Sequence, residues 1–144
     1  MYTGIDIIEI NSIEKVFGSH KNFLRRVYTS DEVEYCQSKK NCYQHYAVRF
    51  ASKEAVLKAF GTGLRDRMKW TDVETLNDEL GKPYINLYGR AKELATEKKI
   101  GEISVSLSHC KEYAIAHVLL IPYKSQEQEK ENEKINSYKS SSYR

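Results

Sequence analysis

Residues 49–63 read "RFASKEAVLKAFGTG", a run of good helix formers that stops at two glycines. At about 100° per residue, Glu54 lies at the centre of a stripe made by Ala47, Phe50, Ala51, Leu57 and Lys58. Val48, Ala55, Val56, Ala59 and Phe60 make the other faces largely apolar too, so the helix is predicted to be central and buried. A carboxylate there needs a partner or a metal, or else it neutralises, because ionised groups out of water are costly. Pairing Glu54 with Lys58 at i, i+4 is worth only ~0.2–0.5 kcal/mol, against several kcal/mol for desolvating each ion. That pair alone does not account for charge on the core side. Gly61 falls where a helix C-cap would sit, and "GTG" does not complete a P-loop pattern.

Towards the N-terminus, "GIDIIEI" (4–10) is short and β-branched, a predicted strand on which alternation sets Asp6 on the face of Ile8 and Ile10. Asn11 with Glu14, and Thr29 with Glu32, fit capping boxes, which predicts helices from near Ser12 and Ser30. Beyond the central helix, "DVETL" and "KPYINLY" flank "NDELG", a hairpin with Gly81 free to take a positive φ. "RAKELATEKK" reads as a short helix. "EISVSLS" alternates, with Ile103, Val105 and Leu107 on one face and Ser104, Ser106 and Ser108 on the other. A turn over His109–Glu112 leads to a last apolar strand, "YAIAHVLLI". From Lys124 the chain is rich in Glu, Lys, Gln and Ser, so residues 1–123 read as one domain and 124–144 as a disordered or frayed helical tail.

With 144 residues, 40% of them hydrophobic, the chain can bury one core. Its longest apolar run falls well short of the ~20 residues that span a bilayer, and "MYTGIDIIEI" lacks the basic start of a secretory signal. Cys36, Cys42 and Cys110 are in no metal-ligand spacing and read as reduced thiols, so the expectation is a soluble, cytoplasmic protein with no membrane association. A net charge of +3 is weak for nucleic-acid binding. Locally, Lys15, Lys21, Arg25 and Arg26 face a single acid, Glu14, and are interleaved with Val16, Phe17, Phe23 and Leu24. That pattern suits an acidic protein partner, with an ordinary solvated helix face as the alternative.

Asp6 repeats the anomaly of Glu54, a carboxylate among isoleucines on a predicted core strand. Two carboxylates on rigid elements, with Lys58 and Arg49 close by in sequence, suggest a cation and a phosphorylated ligand. Magnesium is typically held by one or two carboxylates together with substrate phosphates, and Lys58 and Arg49 would neutralise phosphate oxygens. Ser106, Ser108 and His109 are candidates for one side of a ligand groove. No G-x-S-x-G elbow is present, which argues against a Ser-His hydrolase.

The blocks "GIDIIEI", "RFASKEAVLKAFGTG", "W.DVE", "GKP" and "SVSLSHCKEYAIAHV", in this order and spacing over roughly residues 1–121, resemble the holo-[acyl-carrier-protein] synthase family of small phosphopantetheinyl transferases. The resemblance implies an α+β fold, a small antiparallel sheet wrapped around a long central helix. It implies transfer of 4′-phosphopantetheine from coenzyme A to a serine of apo-acyl carrier protein, releasing adenosine 3′,5′-bisphosphate. By the same resemblance Asp6 and Glu54 correspond to magnesium ligands and Lys58 to a pyrophosphate contact. Arg49, Gly61, Gly63, Ser106, Ser108 and His109 fall in the region implied to border coenzyme A. The family's trimers, with active sites between subunits, are implied as well. Family members often carry arginine where this chain has Ser12 and another basic residue near Asn22, so the carrier contacts implied here rest on Lys15, Lys21, Arg25 and Arg26. Either Glu54 or a magnesium-bound water would accept the proton of the attacking serine.

Overall fold

The computed structural model describes residues 1–124, 130 and 133–135, so most of the tail expected over 124–144 lies outside the described residues. The elements run β1 Tyr2–Glu9, α1 Ile10–Ser19, α2 Phe23–Val27, α3 Ser30–Gln37, α4 Cys42–Phe60, β2 Val73–Asn77, β3 Pro83–Leu87, α5 Gly89–Glu97, β4 Ile100–His109 and β5 Tyr113–Pro122. Strands β1, β5 and β4 form an antiparallel sheet in that order, and β2 and β3 form a separate hairpin. The fold is the expected α+β arrangement, with α4 packed on β1 and β5.

Helix α4 is central because its apolar residues go all the way round. Twelve of its nineteen residues are buried, and Val56, Leu57 and Phe60 are each at most 4% exposed. Burying side chains of this size is worth about 1.5–3 kcal/mol apiece. Its C-terminal half packs with Val105, Val118 and Leu120 of the sheet and Leu94 of α5. The N-terminal half packs with Ile13, Val27 and Cys36 of the first three helices and with Tyr28, which follows α2. Gly61 ends the helix in the left-handed region at φ 75°, its amide donating to the carbonyls of Leu57 and Lys58.

Two boundaries differ from the sequence expectation. Helix α1 begins at Ile10 with no side-chain cap, because the Ile10 amide donates to the Glu112 carbonyl of the distant β4–β5 turn at 2.8 Å. The Asn11–Glu14 capping box therefore does not form, and Ile10 leaves the strand face that Asp6 and Ile8 share. His109 pairs with Ala114 as the last residue of β4, which shortens the expected turn to Cys110–Glu112. Thr29 and Glu32, by contrast, make their capping box at the start of α3, and Gly81 turns the β2–β3 hairpin at φ 84°.

Candidate active site

The site starts from a missing side chain. Gly4 of β1 lies so close to α4 that a Cβ there would be 1.9 Å from the Ala55 carbonyl oxygen and 2.8 Å from the Ala59 amide nitrogen. Glycine thus lets the strand touch the helix backbone. Two residues on, Asp6 points from the same face of β1 towards the same side of α4. Lys58 Nζ lies 2.8 Å from Asp6 Oδ1 and also donates to the Ile5 carbonyl at 3.0 Å. Glu54 sits one helical turn before Lys58. Burial pushes its carboxyl up, the Asp6 charge adds to the rise, and the Lys58 ammonium opposes it. Among the described residues no donor lies within hydrogen-bond reach of the Glu54 carboxylate, so its lone pairs are uncommitted.

This arrangement corrects the reading of charge on the core side. The Asp6 side chain is 16% exposed and that of Lys58 is 53% exposed, so the group opens to solvent where β1 leaves the helix partly uncovered. The i, i+4 ion pair between Glu54 and Lys58 does not form, because the lysine turns to Asp6. Among the described residues no cluster of three His, Cys, Asp or Glu side chains could hold a metal. The two carboxylates present are hard oxygen donors, which suits magnesium completed by substrate oxygens.

The buried charges of α4 are residues that the helical pattern alone did not single out for this. Lys53 is fully buried against Glu32, and Arg49 is 1% exposed. Arg49 is on the opposite side of α4 from Lys58, stacked 4.1 Å from the Tyr35 ring centroid and donating to Asn77 Oδ1 at 2.7 Å. Within one chain it does not join Asp6, Glu54 and Lys58. It belongs with a second group of basic side chains, in which the His45 and His109 rings are 6.2 Å apart. Burial holds His45 below its ordinary pKa, and the Arg49, Lys39 and His109 charges add to the effect. His45 and Tyr35 were not candidates from sequence, since a lone histidine and tyrosine on helices carry no pattern.

Ser106 and Ser108 are exposed on the sheet face opposite to Asp6, paired across to His117 and Ile115 of β5. They too are apart from the Asp6 group of their own chain. On the same outer face Ile5 and Ile7 are 54% and 61% exposed. Gly63 follows the helix stop with φ 59°. Of the basic patch, Arg25 and Arg26 line a cleft of about 420 Å³ with Leu64, Met68 and Trp70. Lys21 opens instead on a smaller cleft of about 330 Å³ beside Phe17 and Tyr43, and Lys15 is exposed on α1. A third cleft, of about 420 Å³, is lined by Glu9, Glu14 and Glu112, whose charge has the wrong sign for a polyphosphate.

The comparisons with known proteins converge on one family. The sequence model of the 4′-phosphopantetheinyl transferase superfamily matches residues 2–118. A holo-[acyl-carrier-protein] synthase of Geobacter sp. (strain M21) is 50% identical over 119 residues, which are 82% of this chain and 95% of that protein. The crystal structure of a holo-(acyl-carrier-protein) synthase from Bacillus anthracis in complex with CoA (3′,5′-ADP) superposes with a TM-score of 0.71 at 35% identity, covering 85% of this chain and 96% of that one. That of the Helicobacter pylori enzyme in complex with coenzyme A also gives 0.71, at 33% identity over 82% of this chain and 98% of that one. No helix among the described residues is long and apolar enough to cross a membrane. With Asp6, Glu54 and Lys58 brought to one opening between β1 and α4, and a fold and sequence shared along most of its length, the chain belongs to the 4′-phosphopantetheinyl transferase superfamily and, within it, to the holo-[acyl-carrier-protein] synthase family.

Proposed function

We propose that the chain moves 4′-phosphopantetheine from coenzyme A to a serine hydroxyl of apo-acyl carrier protein, in the presence of magnesium, and releases adenosine 3′,5′-bisphosphate. The observation that carries this reading is the convergence of Asp6 and Lys58, 2.8 Å apart, with Glu54 close enough to feel the charge of both. Asp6 and Glu54 would hold the magnesium, which when bound supplies charge neutralisation for the pyrophosphate. Lys58, oriented by Asp6 and the Ile5 carbonyl, stabilises negative charge on the departing bisphosphate. The new bond joins the serine oxygen to the phosphorus bonded to pantetheine, and the bond from that phosphorus to the leaving bisphosphate breaks. Glu54, whose carboxylate meets no donor among the described residues, is a group of this chain able to take the serine proton. Positioning the two substrates contributes more than that proton transfer alone.

The site is shared between subunits of a homotrimer in this reading. Its support is the outer face of the β1–β5–β4 sheet, where exposed Ile5 and Ile7 stand beside Ser106, Ser108 and His117. Two exposed isoleucines two residues apart on one strand fit an interface between copies better than open water. A neighbouring copy would then bring its Ser106, Ser108, Arg49 and His109 to the coenzyme A bound at Asp6, Glu54 and Lys58, with Gly61 and Gly63 at its edge. The exposed Arg25 and Arg26, with Lys15 and Lys21, receive the acidic carrier protein. The three free cysteines fit a reducing cytoplasm.

Incubating the chain with magnesium, coenzyme A and an apo-acyl carrier protein, and then weighing the carrier, tests the reading. A mass gain of one phosphopantetheine is expected. Coenzyme A binding without that gain would make the chain a binding module, and carrier binding alone would make it a scaffold.

A further inference from the structure

We propose that Lys53 is a positioning residue for Glu54, holding the rotation of α4 so that the carboxylate faces Asp6. This rests on the metal-binding reading of Asp6 and Glu54. Lys53 is fully buried and its ammonium reaches three acceptors on different parts of the chain: Glu32 Oε1 at 2.6 Å, the Trp70 carbonyl at 3.2 Å, and the Val73 carbonyl. Glu32 is itself immobilised, accepting from the amides of Thr29 at 3.0 Å and Thr75 at 3.1 Å. Thr29 Oγ1 in turn donates to Glu74 Oε2 at 2.6 Å, and Glu74 accepts from Asn86 and Tyr88. The anchor therefore runs from α3 through α4 to the β2–β3 hairpin.

Stability alone is a poor reason for this construction. Replacing a buried ion pair by apolar groups of similar volume is often neutral or stabilising, because each ion loses its hydration. What an apolar replacement lacks is direction. Lys53 immediately precedes Glu54, so the three acceptors that fix its ammonium also fix the angle at which the next residue leaves the helix. On the other side, the backbone contact between Gly4 and Ala55 sets the distance of α4 from β1. One contact sets the separation and the other sets the rotation. Ligand geometry in a functional site has to be held to about 0.5 Å and 10–20°, and neither device alone does that.

The test is the double variant Lys53→Met/Glu32→Gln, which removes both buried charges together and keeps one side-chain oxygen to accept from either the Thr29 or the Thr75 amide. Mn²⁺ binding in the presence of coenzyme A, read by electron paramagnetic resonance of the free ion, is compared with wild type and with Leu94→Ala. Leu94 is a core residue of α5, so its truncation supplies a general loss of stability as control. The expected result is Mn²⁺ affinity lowered about tenfold or more in the double variant, as for other groups that orient a metal ligand. In Leu94→Ala affinity stays within about twofold of wild type, and kcat in the double variant falls further than KM for the carrier rises. Equal Mn²⁺ affinity in the double variant and wild type, or equal losses in the double variant and Leu94→Ala, overturns the proposal. Should the double variant not fold, Glu32→Gln alone, which removes the anion but not the two carbonyl acceptors, is expected to weaken Mn²⁺ binding in the same direction, and wild-type affinity there overturns the proposal too. If the wild-type chain itself binds no Mn²⁺, the metal reading of Asp6 and Glu54 fails first and takes this one with it.

Discussion

The backbone of Gly4 on β1 touches the backbone of Ala55 on α4, an approach that no residue with a Cβ allows. The clash in Gly4→Ala is with a carbonyl and an amide, neither of which can rotate away, so the strand must lift from the helix. Overpacking of this kind costs about 1–3 kcal/mol or more. Urea denaturation should show that loss, and metal binding with coenzyme A should weaken as Asp6 moves off Glu54. A variant as stable and as metal-competent as wild type would show that the contact sets nothing.

Glu54→Gln keeps the volume of the side chain and removes its charge. Transfer at limiting magnesium should fall by roughly 10²-fold, the low end of what a lost acid–base group contributes, with a further loss if metal affinity falls as well. Asp6→Ala should do the same and also free Lys58, which leans on that carboxylate. Wild-type rates in either variant would refute the metal assignment.

Arg25 and Arg26 are exposed side by side on α2 and line one cleft with Lys69 and Trp70. Charge reversal, Arg25→Glu/Arg26→Glu, should raise KM for the carrier protein and leave coenzyme A affinity nearly unchanged, because rim charges govern encounter with a charged partner. Equal losses for both substrates would point to a folding defect.

Ile7 is 61% exposed on the outer sheet face, away from Asp6. Ile7→Glu leaves the Asp6 group of the same chain untouched and places a charge where the proposed copies meet. Sedimentation should report a shift to monomer together with loss of transfer. A variant that stays trimeric, or a monomer with full activity, would remove the shared site.

Histidine 45 supplies a pH prediction. Burial, with the Arg49, Lys39 and His109 charges, holds it below its ordinary value of 6.5. The unfolded chain therefore binds more protons in the window beneath 6.5, and stability falls as pH drops through it. Thermal unfolding followed from about pH 7.5 to about pH 5.5 should show a shallower fall in His45→Gln than in wild type. Identical slopes would mean that His45 titrates as it does in water.

Signals carried by neighbours in sequence were legible where nothing distant competed. Thr29 and Glu32 predicted their capping box because both partners lie within one turn. Asn11 and Glu14 offered the same pattern, but the Glu112 carbonyl, a hundred residues away, takes the Ile10 amide and starts the helix early. Alternation along β4 correctly separated Ile103, Val105 and Leu107 from the serines, yet did not tell that the serines face away from Asp6. Lys53 was passed over because a lysine in a helix ordinarily points to water, and its acceptors come from Glu32, Trp70 and Val73.

The resemblance to a known family implied the α+β fold, and the residues themselves showed a central helix that contains Glu54, a hairpin turned at Gly81, two late strands, and Asp6 and Glu54 as carboxylates on a strand and a helix. Periodicity is enough for the latter, since it gives the angle of each side chain about its own strand or helix. It does not say what stands at each angle. Only the tertiary structure decided that Lys58 turns to Asp6 instead of Glu54, that Arg49 is held between Tyr35 and Asn77, and that Lys53 is buried against Glu32. Those outcomes depend on which element packs at which azimuth of α4, a relation between residues up to about fifty positions apart that no local pattern encodes.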